Sequence, residues 1–249
     1  MSTFIYNMVR KAIVMGATSG IGMEVAKLLA ERGWQVGIAG RRLELLEAMK
    51  QGHQGIVCYQ QIDVTSADAQ SRLLKLINEL GGMDLYFHSS GIGWQNNTLD
   101  IEKELKTIDT NGMGFVRMVD TAFNWYSQRK ATGRIACITS IAGTKGLGVA
   151  PAYSSTKRFQ SHYLECLRQQ ARMRHLEISI TDLRPGFVKT NLIAGSNYPL
   201  QLDAKSVAKS IVHAIEKGRG VTIIDWRYAI LVFFWRLIPH WIWVRMKIG

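Results

Sequence analysis

The stretch "KAIVMGATSGIG", Lys11 to Gly22, decides the fold. Its opening apolar run is too short for a helix and ends at a glycine, which reads as a buried strand. The residues that follow, "GMEVAKLLAERG", place apolar side chains at three- and four-residue spacing and put Gly33 where a helix should stop. Between strand and helix lies "GATSGIG", Gly16 to Gly22. That order leaves free backbone N–H groups at a helix start, where a pyrophosphate can sit. Gly16 permits the tight turn, and Gly20 and Gly22 allow close backbone approach and close helix packing. Thr18, Ser19 and Ile21 complete this candidate cofactor-facing segment. The competing reading is a tight strand-to-helix turn that binds nothing.

The same strand-then-helix pattern repeats outward. Short apolar runs recur at 11–16, 35–40, 55–60, 83–89, 133–140, 177–183 and 220–225, separated by helical stretches such as "ADAQSRLLKLINELG". Strands alternating with helices predict a parallel sheet covered on both faces, here an α/β, doubly wound, seven-stranded and Rossmann-like architecture. With 249 residues and no internal repeat or Pro/Gly-rich linker, the chain reads as a single domain. Residues 1–225 would form its nucleotide-binding body and 226–249 an aromatic-rich, helical C-terminal tail of the same unit. Residues 190–203, "TNLIAGSNYPLQLD", read as a loop long enough to be a lid or a mobile segment.

The three cysteines are scattered and form no CxxC or Cys/His cluster, so neither a disulfide framework nor a metal site is expected. The basic start runs within a few residues into glycine and a helix-opening turn rather than a secretory signal, which points to a cytoplasmic protein. A net charge of +12 invites an anionic partner. The basic residues are dispersed and form no nucleic-acid motif, so a phosphorylated cofactor and an anionic membrane surface are the better candidates. The second strand ends "IAGRR", with Arg41 and Arg42 where folds that hold an unphosphorylated ribose carry an acid. A guanidinium suits a 2′-phosphate by charge and bidentate geometry, which favours NADP over NAD. A solvated arginine pair opening a helix is the alternative.

Taken in order, "GATSGIG", "DVT" at 63–65, "SSG" at 89–91, "TNGMG" at 110–114, "ITS" at 138–140, "YSSTK" at 153–157 and "RPGFVKT" at 184–190 resemble the short-chain dehydrogenase/reductase family from residue 11 to about 225. The resemblance implies an NADP-dependent oxidoreductase that transfers a hydride between nicotinamide and a small carbonyl or alcohol, in a homo-oligomer. It implies that Ser140, Tyr153, Lys157 and Asn111 are the catalytic group. Tyr153 would pass the proton, Lys157 would lower the phenol's pKa and bond the nicotinamide ribose, Ser140 would polarise the substrate oxygen, and Asn111 would hold a water linking Lys157 to solvent. An isolated Tyr and Lys four residues apart would read as a surface pair. The resemblance further implies that Asp63 and Val64 edge the adenine, that Gly91 lets the backbone pass the adenosine ribose, and that Pro185, Gly186, Val188 and Thr190 flank the nicotinamide. Asp63 also reads as a helix-capping acid. Two positions depart from the family pattern: Met15 replaces a threonine, and "HSSG" replaces "NNAG". A catalytically silent dinucleotide-binding sensor or scaffold is the competing function.

Trp94, Phe187 and Tyr198 sit in segments that would suit the wall of a pocket for an apolar or bulky substrate. Beyond residue 225, "WRYAILVFFWRLIPHWIWVRMKIG" holds four of the chain's seven tryptophans. Arg236, Pro239 and His240 interrupt it before the roughly 18 to 20 apolar residues of a membrane span accumulate. Two readings stay open: contact with a membrane surface, and a pair of short helices broken at Pro239 that pack on the substrate cleft or on another subunit.

Overall fold

The computed structural model describes residues 9–190, 198 and 200–247. Each apolar run forms a strand: β1 (Lys11–Met15), β2 (Gln35–Gly40), β3 (Ile56–Gln61), β4 (Leu85–His88), β5 (Gly133–Ile138), β6 (Ile178–Arg184) and β7 (Val221–Ile223). They pair in parallel in one seven-stranded sheet of order β3-β2-β1-β4-β5-β6-β7. The helices are α1 (Gly20–Glu31), α2 (Leu43–Gly52), α3 (Ala69–Leu80), α4 (Ile101–Ile108), α5 (Phe115–Arg129), α6 (Pro151–Met173), α7 (Ala204–Glu216), α8 (Trp226–Leu237) and α9 (His240–Trp243). A π-helical turn, Asp109–Gly114, joins α4 to α5.

Successive strand residues point to opposite faces, so a strand covered on both sides must be apolar throughout. In β1, Ala12 and Val14 enter the core layer shared with α1, α7 and α8, whereas Ile13 and Met15 enter the layer shared with α3, α5 and α6. All four are fully buried. Met15 is thus a core residue of the second layer, and its carbonyl accepts a hydrogen bond from Ser89 N–H at 2.9 Å.

The chain runs from β1 to β2 on one side and later returns to β4 on the other, which opens a crevice at the carboxyl ends of β1 and β4. Gly16 occupies that crevice with φ +85°, and a Cβ there would lie 2.7 Å from Ser90 N. A Cβ on Gly22 would lie 2.2 Å from Gly16 O. Backbone approaches backbone at both places, so no side chain fits and the turn stays open to a ligand.

Of the loop expected over 190–203, residues 191–197 and 199 lie outside the described residues. The loop's return is tied down: Leu202 N–H donates to Phe187 O at 2.8 Å, and Lys189 N–H donates to Leu202 O at 2.9 Å. The C-terminal helices break at Pro239, and no described helix is long and apolar enough to cross a membrane.

Candidate active site

Helix α6 begins at Pro151, whose missing N–H suits a helix start. On it, Tyr153, Thr156, Lys157 and Gln160 share one face at helical spacing. A core-facing stripe is ordinarily apolar. Here Thr156, Lys157 and Gln160 are buried, with Lys157 4% and Gln160 0% exposed. The Lys157 ammonium donates to Ile138 O at 3.1 Å and to Gln160 Oε1 at 3.0 Å, and it lies 5.7 Å from the centre of the Tyr153 ring. Burial pulls its pKa down from 10.5 to about 8, opposed by Cys137 and Asp182.

Ser140 stands just past β5 and caps the short turn Ile141–Gly143, accepting from Ala142 N–H at 3.0 Å. Its side chain stands close enough to the Tyr153 hydroxyl to draw that phenol's pKa down. Burial raises the Tyr153 pKa, the Ser140 bond lowers it, and Tyr198 raises it further; the net direction is up.

Asn111 sits in the π-helical turn, fully buried. Its side chain accepts from Ile92 N–H at 2.9 Å and donates to Ile92 O at 2.7 Å, which braces the loop segment leaving Gly91. Its main-chain carbonyl accepts from Gln160 Nε2 at 2.8 Å. The Gln160 amide thus bridges the Lys157 ammonium and the Asn111 carbonyl. Gln160 went unrecognised as a site residue, although a polar residue three positions after Lys157 on the inward stripe is a legible signal. Gly93 was also missed: a Cβ there would lie 2.2 Å from the Tyr153 ring, so the backbone of this segment forms one wall against the phenol. Nothing in the sequence marks that contact.

At the cofactor end, Arg42 donates from Nε and Nη2 to Thr18 Oγ1 at 3.1 and 2.7 Å, and from Nη2 to Ser19 Oγ at 2.8 Å. This gathers one guanidinium and two hydroxyls beside the glycine turn. Arg41 parts from its neighbour and lines a shallow depression with Asp63. Burial pushes the Asp63 carboxyl up, but hydrogen bonds from Thr65 and the charges of Arg41 and Lys106 hold it below its usual range. Asp63 accepts from Thr65 N and Oγ1 and braces its own turn; it does not cap the next helix, because α3 starts at Ala69 with Asp68 in the N-cap position. Val64 is buried beneath Gly114. Gly91 lies beside Asn111 and Lys157, and Thr190 covers Gly20. Pro185 O accepts from Ile141 N–H, joining the 185–190 segment to the turn after Ser140. Gly186 is pressed on the Tyr228 ring, and Val188 bridges to Leu202.

The two ends meet across the crevice. Phe187 and Tyr198 stack with ring centres 4.0 Å apart, and Gln95 Nε2 donates to the Tyr198 hydroxyl at 2.7 Å. Trp94 is 40% exposed in the neighbouring loop. Among the described residues no cluster of His, Cys, Asp and Glu is suited to a metal ion.

A tyrosine one helical turn from a buried lysine, with a serine just past β5, at the open end of a doubly wound sheet with a phosphate-ready turn, is the arrangement of an α/β oxidoreductase. The comparisons with known proteins agree. The model of the short chain dehydrogenase family matches residues 10–199. An uncharacterized oxidoreductase of Myxococcus xanthus is 33% identical over 239 residues, covering 93% of each chain. The dehydrogenase/reductase SDR family member 7B of Mus musculus is 28% identical over 255 residues, covering 91% of this chain and 77% of the relative. Among solved structures, a short-chain type dehydrogenase/reductase from Mycobacterium marinum superposes with a TM-score of 0.78 at 22% identity, covering 88% of this chain and 95% of that one. An actinorhodin polyketide ketoreductase variant with NADPH gives 0.75 at 23%, covering 87% and 95%. The chain belongs to the short-chain dehydrogenase family.

Proposed function

We propose that this enzyme is an NADPH-dependent carbonyl reductase or alcohol dehydrogenase acting on an apolar or bulky small molecule. The observation that carries the reading is the buried Lys157 ammonium 5.7 Å from the centre of the Tyr153 ring on α6, with Ser140 at the end of β5 acting on the same phenol. When bound, the dinucleotide supplies the hydride that reduces the carbonyl carbon. The residues present fit it: the Gly16–Gly22 turn offers backbone N–H groups to a pyrophosphate, and Arg42, Thr18 and Ser19 suit a 2′-phosphate. Asp63, Val64 and Gly91 would line the adenosine side, and Pro185, Gly186, Val188 and Thr190 the nicotinamide side. An NADPH-bound ketoreductase and a Thermococcus sibiricus alcohol dehydrogenase complexed with 5-hydroxy-NADP share this fold.

Ser140 donates a hydrogen bond to the substrate oxygen, and Tyr153 gives that oxygen its proton as negative charge develops there. The Lys157 cation then steadies the phenolate left behind. Gln160 and Asn111 hold Lys157 in place. The stack of Phe187 on Tyr198 offers the substrate an aromatic wall. Self-association suits the exposed apolar stripe of α4, where Ile101, Leu105 and Ile108 face solvent.

The test is NADPH consumption over a panel of ketones and aldehydes, with Tyr153→Phe beside the parent. A loss of about 10²- to 10⁴-fold in kcat with NADPH affinity retained is expected of a removed proton donor. Equal rates in the two proteins would refute the assignment, and NADPH binding without turnover in the parent would favour the sensor reading.

A further inference from the structure

Helix α8, "WRYAILVFFWRL", is apolar nearly all round. A helix of that kind belongs inside a large core or in contact with lipid. The protein covers only one side of it. Tyr228 and Val232 are 1% exposed, and Leu231 and Trp235 pack partly buried against the core. On the other side Trp226, Ile230, Phe233, Phe234 and Leu237 fall on one helical stripe, with exposures from 48% at Ile230 to 70% at Trp226. Helix α9 extends the apolar surface with Trp241 at 64%, and Val244 just beyond it is 60% exposed.

The tail is not loosely attached. The Tyr228 hydroxyl accepts from Phe187 N–H at 3.1 Å and donates to Leu200 O at 3.0 Å. Lys145 Nζ donates to Ile238 O, and Trp243 Nε1 donates to Gly146 O, both at 2.7 Å. The apolar face is thus presented on a fixed support, beside the segments that flank Ser140 and Tyr153.

Charge decides what covers this face. From Trp226 to Lys247 there is no Asp or Glu, while Arg227, Arg236, Arg245 and Lys247 are cationic. Arg227 is bound to Asp225 at 2.8 Å, and among the described residues Arg236, Arg245 and Lys247 have no carboxylate partner. In a twofold pair of copies these cations would be brought toward their own kind, with no acid in either segment to answer them. An anionic bilayer surface answers both features, because tryptophan and basic residues favour the headgroup region and the other apolar side chains enter the acyl boundary. We propose that α8 and α9 form an interfacial docking surface for anionic lipid bilayers. The inference stands apart from the catalytic reading, since binding is read without turnover.

The experiment is co-sedimentation of the full chain with phosphatidylcholine vesicles and with vesicles holding about one-third phosphatidylserine. Each cation near an anionic surface strengthens binding roughly fivefold, so three predict about a 100-fold preference for the phosphatidylserine vesicles. A variant combining Phe233→Ser, Phe234→Ser and Leu237→Ser should lose binding at least tenfold while retaining cooperative unfolding. Should that variant misfold, Arg236→Glu with Arg245→Glu and Lys247→Glu takes its place, and the preference for phosphatidylserine should vanish. Parent protein left in the supernatant with both vesicles overturns the proposal. So does a parent dimer, seen by analytical ultracentrifugation, that either variant converts to monomer, because a second copy would then be the occupant.

Discussion

Lys157 shows how burial sets the chemistry of one residue. Its pKa lies near 8 in the folded protein and at the ordinary 10.5 when unfolded, so between those values the unfolded chain binds more protons. Stability therefore rises with pH through that window and is lowest, as far as this group is concerned, below pH 8. Relative to Lys157→Met, the parent should gain about 3 kcal/mol between pH 7 and 11, measured by urea unfolding at each pH. Parallel profiles for the two proteins would contradict a depressed lysine. Gln160 acts on the same group. Gln160→Leu removes the hydrogen bond to Asn111 O and one Lys157 contact, at a cost of about 1 to 3 kcal/mol. Gln160→Glu places a carboxylate beside the ammonium, and the lysine's window should move up toward 10.5. If the window stays put in the Glu variant, Gln160 does not touch Lys157 in solution.

The end of β2 divides a pair of neighbours. Arg41 and Arg42 read as one basic feature in the sequence, yet the structure sends Arg42 to the hydroxyls of Thr18 and Ser19 and Arg41 toward Asp63. The reason is local geometry: Arg42 directly precedes α2 in extended backbone, which aims its side chain back at the glycine turn. Arg42→Ala should accordingly weaken NADPH by roughly 10- to 100-fold and leave NADH nearly unaffected, the loss expected of charge-assisted hydrogen bonds to a phosphate. Arg41→Ala should do much less. Equal losses for both coenzymes would place the 2′-phosphate elsewhere. At the same scale, the π-helical turn between α4 and α5 brings Asn111 within reach of both Ile92 and Gln160. Such a bulge leaves no mark in hydrophobic periodicity.

For the whole molecule, the C-terminal helices belong to the core rather than hanging from it. Cutting the chain after Asp225 removes Tyr228, Val232 and Trp243, all at most 5% exposed, and uncovers the Gly186–Val188 segment. At about 1.5 to 3 kcal/mol for each buried side chain, the loss approaches the whole stability of an ordinary domain. The truncated chain should unfold at markedly lower temperature in a thermal melt, or fail to fold. A melt within a few degrees of the parent's would make the tail an appendage. The alternation of strand and helix was legible in the chain because hydrophobic period and glycine stops are local properties. The glycine turn and the Tyr153–Lys157 spacing were legible for the same reason. Only the tertiary structure decided that Lys157 is buried beside Tyr153, that Gln160 stands between Lys157 and Asn111, and that half of α8 faces outward. Those outcomes depend on desolvation and on contacts between residues far apart in sequence, which no short window of sequence contains.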